Sequence, residues 1–174
     1  MKNVIDEYLL VDGYNIIFAW KELKEIADDS LDLARDKLIN ILKNYRGTKN
    51  CNIIVVFDAY MVKGSKGSFD KDDNIFVVYT KEAETADNYI EKTATSLMGK
   101  YKVRVATSDY LEQVIIIGRG AVRMSANDLK VEIEGAQKKV REHMSAIKPV
   151  KNNMLMDNLD PAAAQWLENL RRGK

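Results

Sequence analysis

Four aspartates carry the chemistry that this sequence can do. Asp12 closes the apolar run Tyr8-Leu9-Leu10-Val11 and opens Gly13-Tyr14-Asn15. Asp58 closes Ile53-Ile54-Val55-Val56-Phe57, Asp87 begins a helical pattern, and Asp109 follows Val103-Arg104-Val105-Ala106-Thr107-Ser108. In an open parallel sheet the carboxyl ends of the strands share one edge, and ligand crevices form there. Carboxylate oxygens suit hard cations such as Mg2+ and Mn2+. A metal of that kind lowers the pKa of bound water, orients it in line with a phosphodiester and stabilises charge on the leaving oxygen. Taken singly, each aspartate has an ordinary explanation: a strand-to-helix turn for Asp12, loop entry for Asp58, a favourable helix N-terminus for Asp87 and a plain N-cap for Asp109. Their joint placement is harder to explain as structure alone, because clustered carboxylates repel one another and are costly to keep ionised without a cation. Glu84, three residues before Asp87, either assists or faces solvent.

Other chemistries fall away. No Gly-rich loop is followed by Lys and Ser or Thr, so a Walker-type phosphate cradle is missing. Gly118-Arg119-Gly120 is too short for a dinucleotide fingerprint and precedes a strand instead of following one. The nucleophile elbow Gly-x-Ser-x-Gly is absent. A single histidine, His143, late on a polar helix, rules out chemistry by a histidine pair and reads as a solvated helix-end residue. A phosphatase of the haloacid-dehalogenase type needs an Asp-x-Asp pair, and the position two before Asp12 is Leu10.

The elements that must position the carboxylates alternate between strand and helix. Apolar runs at Ile53 to Phe57, Ile75 to Tyr79 and Val103 to Thr107 read as strands, and Ala121 to Met124 as a short one. Ser30 is a plausible N-cap for a helix with Leu31, Ala34, Leu38, Ile41, Leu42 and Tyr45 on one face and Gly47 as its stop. A second helix is expected from about Thr85 to Met98, and Ser125 with Asp128 signals the start of a long one reaching about Met144. Ser108 or Asp109 can cap a further helix. The Gly/Ser/Lys-rich stretch from Tyr60 to Asn74 reads as a long loop. This order predicts an α/β fold, a mainly parallel sheet with helices on both faces.

At 174 residues and 46% hydrophobic, the chain suits one compact domain, expected over residues 1–146. Residues 147–174 read as a linker and a C-terminal helix, Ala162 to Arg171, expected to dock Trp166, Leu167 and Leu170 on the same domain. The net charge of +1 gives no global basic field, so any polyanion must be held by a local patch. Cys51 has no partner for an intrachain disulfide and begins an apolar strand, where it reads as a small buried hydrophobe. The opening Met1 to Glu7 lacks the apolar core of a signal peptide, and no apolar run approaches the roughly 20 residues of a membrane span. The expectation is a cytoplasmic protein with no membrane contact.

Four motifs together resemble a known family. Leu10-Val11-Asp12-Gly13-Tyr14-Asn15, Val56-Phe57-Asp58-Ala59, Glu84-Thr85-Ala86-Asp87-Asn88-Tyr89-Ile90 and Ala106-Thr107-Ser108-Asp109-Tyr110-Leu111-Glu112-Gln113 are similar, in this order, to the NYN domains of the YacP-like family. The resemblance runs from about Tyr8 to His143. It implies membership of the PIN-like nucleases, a Rossmann-like central sheet, and an Mg2+- or Mn2+-dependent RNase site in which Asp12, Asp58, Asp87 and Asp109 are the acidic metal-binding residues. It further implies Asn15 and Ser108 as supports for carboxylates or water, and endoribonuclease action on mRNA in association with the ribosome.

For the substrate, Lys63 and Lys66 follow Asp58, and Arg119 and Arg123 flank the segment after Asp109, where cations could neutralise phosphates. Tyr14, Tyr60 and Tyr110 sit close to site aspartates, where a ring either stacks on an unpaired base or packs into the core. The Lys138-Lys139-Val140-Arg141 and Arg171-Arg172-Gly173-Lys174 runs read as helix-face or tail charges. The sequence therefore predicts a metal-dependent endoribonuclease. The alternative is an RNA- or ribosome-binding module whose acidic site is weak or idle; oligomeric state is open in both.

Overall fold

The computed structural model describes residues 7–58, 68–72 (as backbone), 75–81, 83–108 and 120–146. Asp109, Lys63, Lys66 and Arg119 lie outside the described residues, as do the linker and terminal helix expected over 147–174. The chain divides into two compact units, Met1–Lys138 and Lys139–Lys174. Of the second, only the last turns of one helix are described.

In chain order the elements are β1 (Glu7–Asp12), α1 (Gly13–Ala19), α2 (Lys21–Asp29), α3 (Leu31–Thr48), β2 (Asn52–Phe57), β3 (Ser68–Asp72), β4 (Ile75–Tyr79), α4 (Ala86–Leu97), β5 (Lys102–Ala106), β6 (Val122–Met124) and α5 (Ala126–Ala146). The strands form one sheet in the order β3-β4-β2-β1-β5-β6. Five run parallel, and β3 pairs antiparallel with β4 at the edge. The expected α/β architecture is therefore present. One expectation fails: Ser68 to Asp72, expected within a long loop, is a strand. Its Ser-Phe-Asp-Lys-Asp sequence lacks the apolar run of the buried strands, as suits an edge strand, where charge guards against pairing with another chain.

Near-continuous apolar runs make the central strands because both of their faces are buried. Leu9, Val11, Ile53, Val55, Phe57, Ile75 and Val77 join Ile16, Leu38, Leu42, Leu129 and Ile133 on the face covered by α1, α3 and α5. Leu10, Ile54, Val56, Val78, Val103 and Val105 meet Ala86, Ile90 and Ala94 of α4 on the other. Two-residue alternation along each strand divides the core between the two helical layers.

Helix ends follow local chemistry. The Ser30 hydroxyl accepts from the Leu33 N–H and Thr85 Oγ1 from the Asn88 N–H, each an N-cap. Ser125 and Asp128 form a reciprocal capping box: the Asp128 N–H donates to Ser125 Oγ at 3.1 Å, and the Ser125 N–H donates back to Asp128 Oδ2 at 3.0 Å. The α1–α2 junction bends at Trp20, whose extended backbone interrupts the helix. Its buried indole Nε1 donates to the Ala126 carbonyl at 2.8 Å, pinning that junction to the start of α5.

Candidate active site

The chain passes from β1 outward through β2 to β4, then returns to place β5 on the opposite side of β1. Strand order thus reverses between β1 and β5, and a crevice opens outside the carboxyl ends at such a point. Asp12 is the last residue of β1 and is only 7% exposed. Its Oδ1 accepts the Asn15 N–H at 3.1 Å, so the carboxylate caps α1. Asn15 Oδ1 in turn accepts the Ser108 N–H at 2.8 Å, across 93 residues. One short chain of hydrogen bonds therefore ties Asp12 to the exit of β5, at the residue that immediately precedes Asp109 in sequence.

Gly13 is dictated by a close approach. A Cβ there would stand 2.3 Å from the Phe57 ring, which is itself fully buried. The absence of a side chain lets α1 start directly over β2 and brings the ends of β1 and β2 together.

Asp58 follows β2, and its Oδ2 accepts the Ala86 N–H at 3.4 Å, docking the first turn of α4 onto the sheet edge. Asp87, next to Ala86, is exposed in that first turn. The positive end of the helix favours both carboxylates. Asp12, Asp58 and Asp87 are thus all brought to the carboxyl edge.

Other expected site residues fall differently. Glu84 is ion-paired with Lys92 Nζ at 3.0 Å. Tyr14, placed among candidates for base stacking, is buried: its ring meets Phe57 edge-on with centroids 5.2 Å apart, and its hydroxyl accepts from Arg35 at 2.7 Å. Burial pushes the Tyr14 phenol above its ordinary pKa against the pull of Arg35, and the charge of Asp58 adds to the rise. Tyr14 is therefore a packing residue beneath the carboxylates, and its ring face is not presented to a base. Arg123 lies exposed on β6.

The donors at this edge are carboxylate and amide oxygens, which suit a hard divalent cation and not a soft one. Among the described residues, no three Asp, Glu, His or Cys side chains form a group that could hold an ion. Lys21 and Lys130, which nothing in the sequence singles out, line a cleft beside this edge together with Arg123 and Ser108. Lys21 sits on a helix that the apolar run preceding it disguises.

A doubly covered parallel sheet with acidic residues gathered at its carboxyl edge is the architecture of the PIN-like nuclease superfamily. Within it, the chain belongs to the YacP-like NYN domain family, whose pattern it matches over residues 9–172. It is 39% identical over 171 residues to YacP of Bacillus subtilis (strain 168), covering 96% of this chain and 98% of that protein. It is also similar to the crystal structure of Rae1 (YacP) from Bacillus subtilis, with a TM-score of 0.70, 39% identity and 95% of each chain covered. A structure of a tryptophan-to-leucine mutant of the same protein gives a TM-score of 0.70 at 34% identity, covering 94% of this chain and 99% of that one. The fold and the nuclease-like class thus rest on sequence and structure together. No helix among the described residues is long and apolar enough to cross a membrane.

Proposed function

We propose that this protein is a metal-dependent endoribonuclease acting on mRNA in the cytoplasm, in association with the ribosome. The observation that carries the reading is the placement of Asp12, Asp58 and Asp87 at one sheet edge, with Asp12 bound through Asn15 to the segment that continues into Asp109. Asp12, Asp58, Asp87 and Asp109 would hold Mg2+ or Mn2+, which supplies an activated water and neutralises charge at the phosphodiester. The chain's own part is positional. Asn15 fixes the Asp12 carboxylate through its main-chain N–H and orients the Ser108 backbone through its side chain. The start of α4 fixes Asp58 and carries Asp87 outward toward substrate. With a net charge of only +1, the protein has little long-range attraction for RNA, which favours delivery of the substrate by a larger assembly such as the ribosome.

The test is cleavage of a defined mRNA, free and within translating ribosomes, by wild type and Asp12→Asn. Metal-dependent cutting that disappears in the variant supports the nuclease, and a requirement for ribosomes supports the delivery partner. Equal cutting of free mRNA removes the ribosome from the proposal.

A further inference from the structure

Past Ser108 the carboxylate edge continues into a cleft of about 520 Å³, lined among others by Lys21, Ser108, Arg123, Ser125, Asn127 and Lys130. That volume falls within the ~300–1,000 Å³ typical of ligand sites. Among the described residues that line it, three are cationic and none is acidic. The neighbouring groove between α2, α3 and α5, about 240 Å³, instead carries Glu22 and Glu134 beside its lysines. Two nearby acids act on residues of the lining. Asp128 accepts from the Ser125 N–H and hydroxyl, although its charge still acts on Arg123. Glu22 holds Lys130 Nζ at 2.9 Å, which offsets that charge. Lys21 approaches Glu25 at 3.9 Å, with both side chains largely exposed, and its charge also acts on Glu22. Among the described residues, Arg123 and Lys21 are the lining cations without an ion pair to a carboxylate at hydrogen-bond distance.

The cleft is also preformed. The indole of Trp20 ties its α1–α2 wall to its α5 wall, and the Thr107 N–H donates to the Met124 carbonyl at 3.1 Å, holding the ends of β5 and β6 together. A site held in place before binding loses less ordering entropy when a ligand enters. Ser108, part of its lining, is one hydrogen bond from Asn15 and two from Asp12.

Resting on the nuclease reading above, we propose that this cleft seats a backbone phosphate of single-stranded RNA flanking the scissile bond. Arg123 and Lys21 act as positioning cations, and the strand leaves the carboxylates over the β5–β6 side of the sheet. A guanidinium can grip a phosphate with two parallel hydrogen bonds, and interactions of this type set register without reading sequence.

The test uses the full chain in chelator, so that no RNA is cut, with a fluorescently labelled single-stranded RNA read by anisotropy over a salt series. The variants are Arg123→Glu, Lys21→Glu with Arg123→Glu, Arg123→Lys, and Lys100→Glu as an equal charge change at the opposite edge of the sheet. The double variant should weaken binding about tenfold or more, and its salt slope should be shallower by about 0.7 for each phosphate that is no longer neutralised. Arg123→Lys should retain most of the affinity, and unchanged thermal melting should show that the variants are folded. Equal binding by Arg123→Glu and Lys100→Glu, whose charge changes match, or no RNA binding by wild type, overturns the proposal. Cleavage separates the two readings: metal-dependent cutting with unchanged RNA affinity in the double variant removes the cleft and leaves the nuclease. Charge-dependent RNA binding with no cutting under any metal condition leaves the cleft and removes the nuclease.

Discussion

The two ends of the sheet hold their charged groups in different ways. Toward the amino ends of β1 and β5, every carboxylate in the cluster faces a base. Arg104, 8% exposed, pairs with Glu7 and donates to Glu132 at 2.8 Å. Tyr45 donates to Glu132 at 2.6 Å, and Lys49 reaches it at 2.9 Å. At the carboxyl edge lie Asp12, Asp58 and Asp87, and Asp12 and Asp58 accept from main-chain N–H groups. The first cluster satisfies itself and bolts β5, α3 and α5 together. The second sets carboxylates at the starts of α1 and α4, where the positive helix ends favour them. At the amino end carboxylates are paired with cationic side chains, and at the carboxyl edge Asp12 and Asp58 are held by main-chain N–H groups at helix starts.

If that contrast is right, changes at the two ends should separate stability from activity. Arg104→Met should cost about 3 kcal/mol in urea unfolding, the lower end for breaking a buried pair, because Lys49 and Tyr45 remain on Glu132. RNA cleavage per folded molecule should be unchanged. Asn15→Ala should do the reverse: it keeps the N–H that holds Asp12 but removes the acceptor that fixes the Ser108 backbone, and should lower cleavage by about 10- to 100-fold, as when a group supporting a metal site is removed, with a small change in melting temperature. Gly13→Ala should blur the distinction, because its Cβ must displace the buried Phe57 ring directly beneath the site. Overpacking should cost about 1–3 kcal/mol and reduce cleavage as well, measured by unfolding and by kcat.

The smallest effect is one of pH. Burial alone would raise the Glu132 carboxyl, but hydrogen bonds from Tyr45 and Lys49 and the charge of Arg104 overcome it and hold the pKa down to about 2, from an ordinary 4.5. A depressed carboxylate contributes stability that is complete above its unfolded-state pKa and is lost as pH falls through the folded one. Wild type should therefore lose stability between about pH 4.5 and about pH 2. Glu132→Gln should show a shallower loss over that window. A matching slope in the variant would mean that Glu132 does not link the lower cluster to acid unfolding.

What is legible in the sequence follows from how each segment is buried. Strands covered on both faces announce themselves as apolar runs, and caps at Ser30, Thr85 and Ser125 mark helix starts because one hydroxyl at one position satisfies an otherwise unpaired N–H. Helix α1 is capped by Asp12 but shows no stripe, and α2 has no side-chain cap. Tyr14 to Trp20 is apolar nearly throughout, so the first helix shows no amphipathic stripe, and Trp20 breaks the pattern before the second begins. Strand β3 is hidden by its polar sequence. At the site, the aspartates stand out because each ends or begins an element. The cationic cleft does not, since Lys21, Arg123 and Lys130 come from three elements that only the folded chain brings together.

The most direct test of the central claim is single-turnover cleavage of one labelled RNA by wild type, Asp12→Asn and Asp87→Asn, each with Mn2+, Mg2+ or chelator. The account predicts cutting by wild type that requires the metal and falls by at least about tenfold to a hundredfold in each variant, while melting curves stay close to wild type. Undiminished cutting by both variants in a clean preparation, or cutting that persists in chelator, would contradict it.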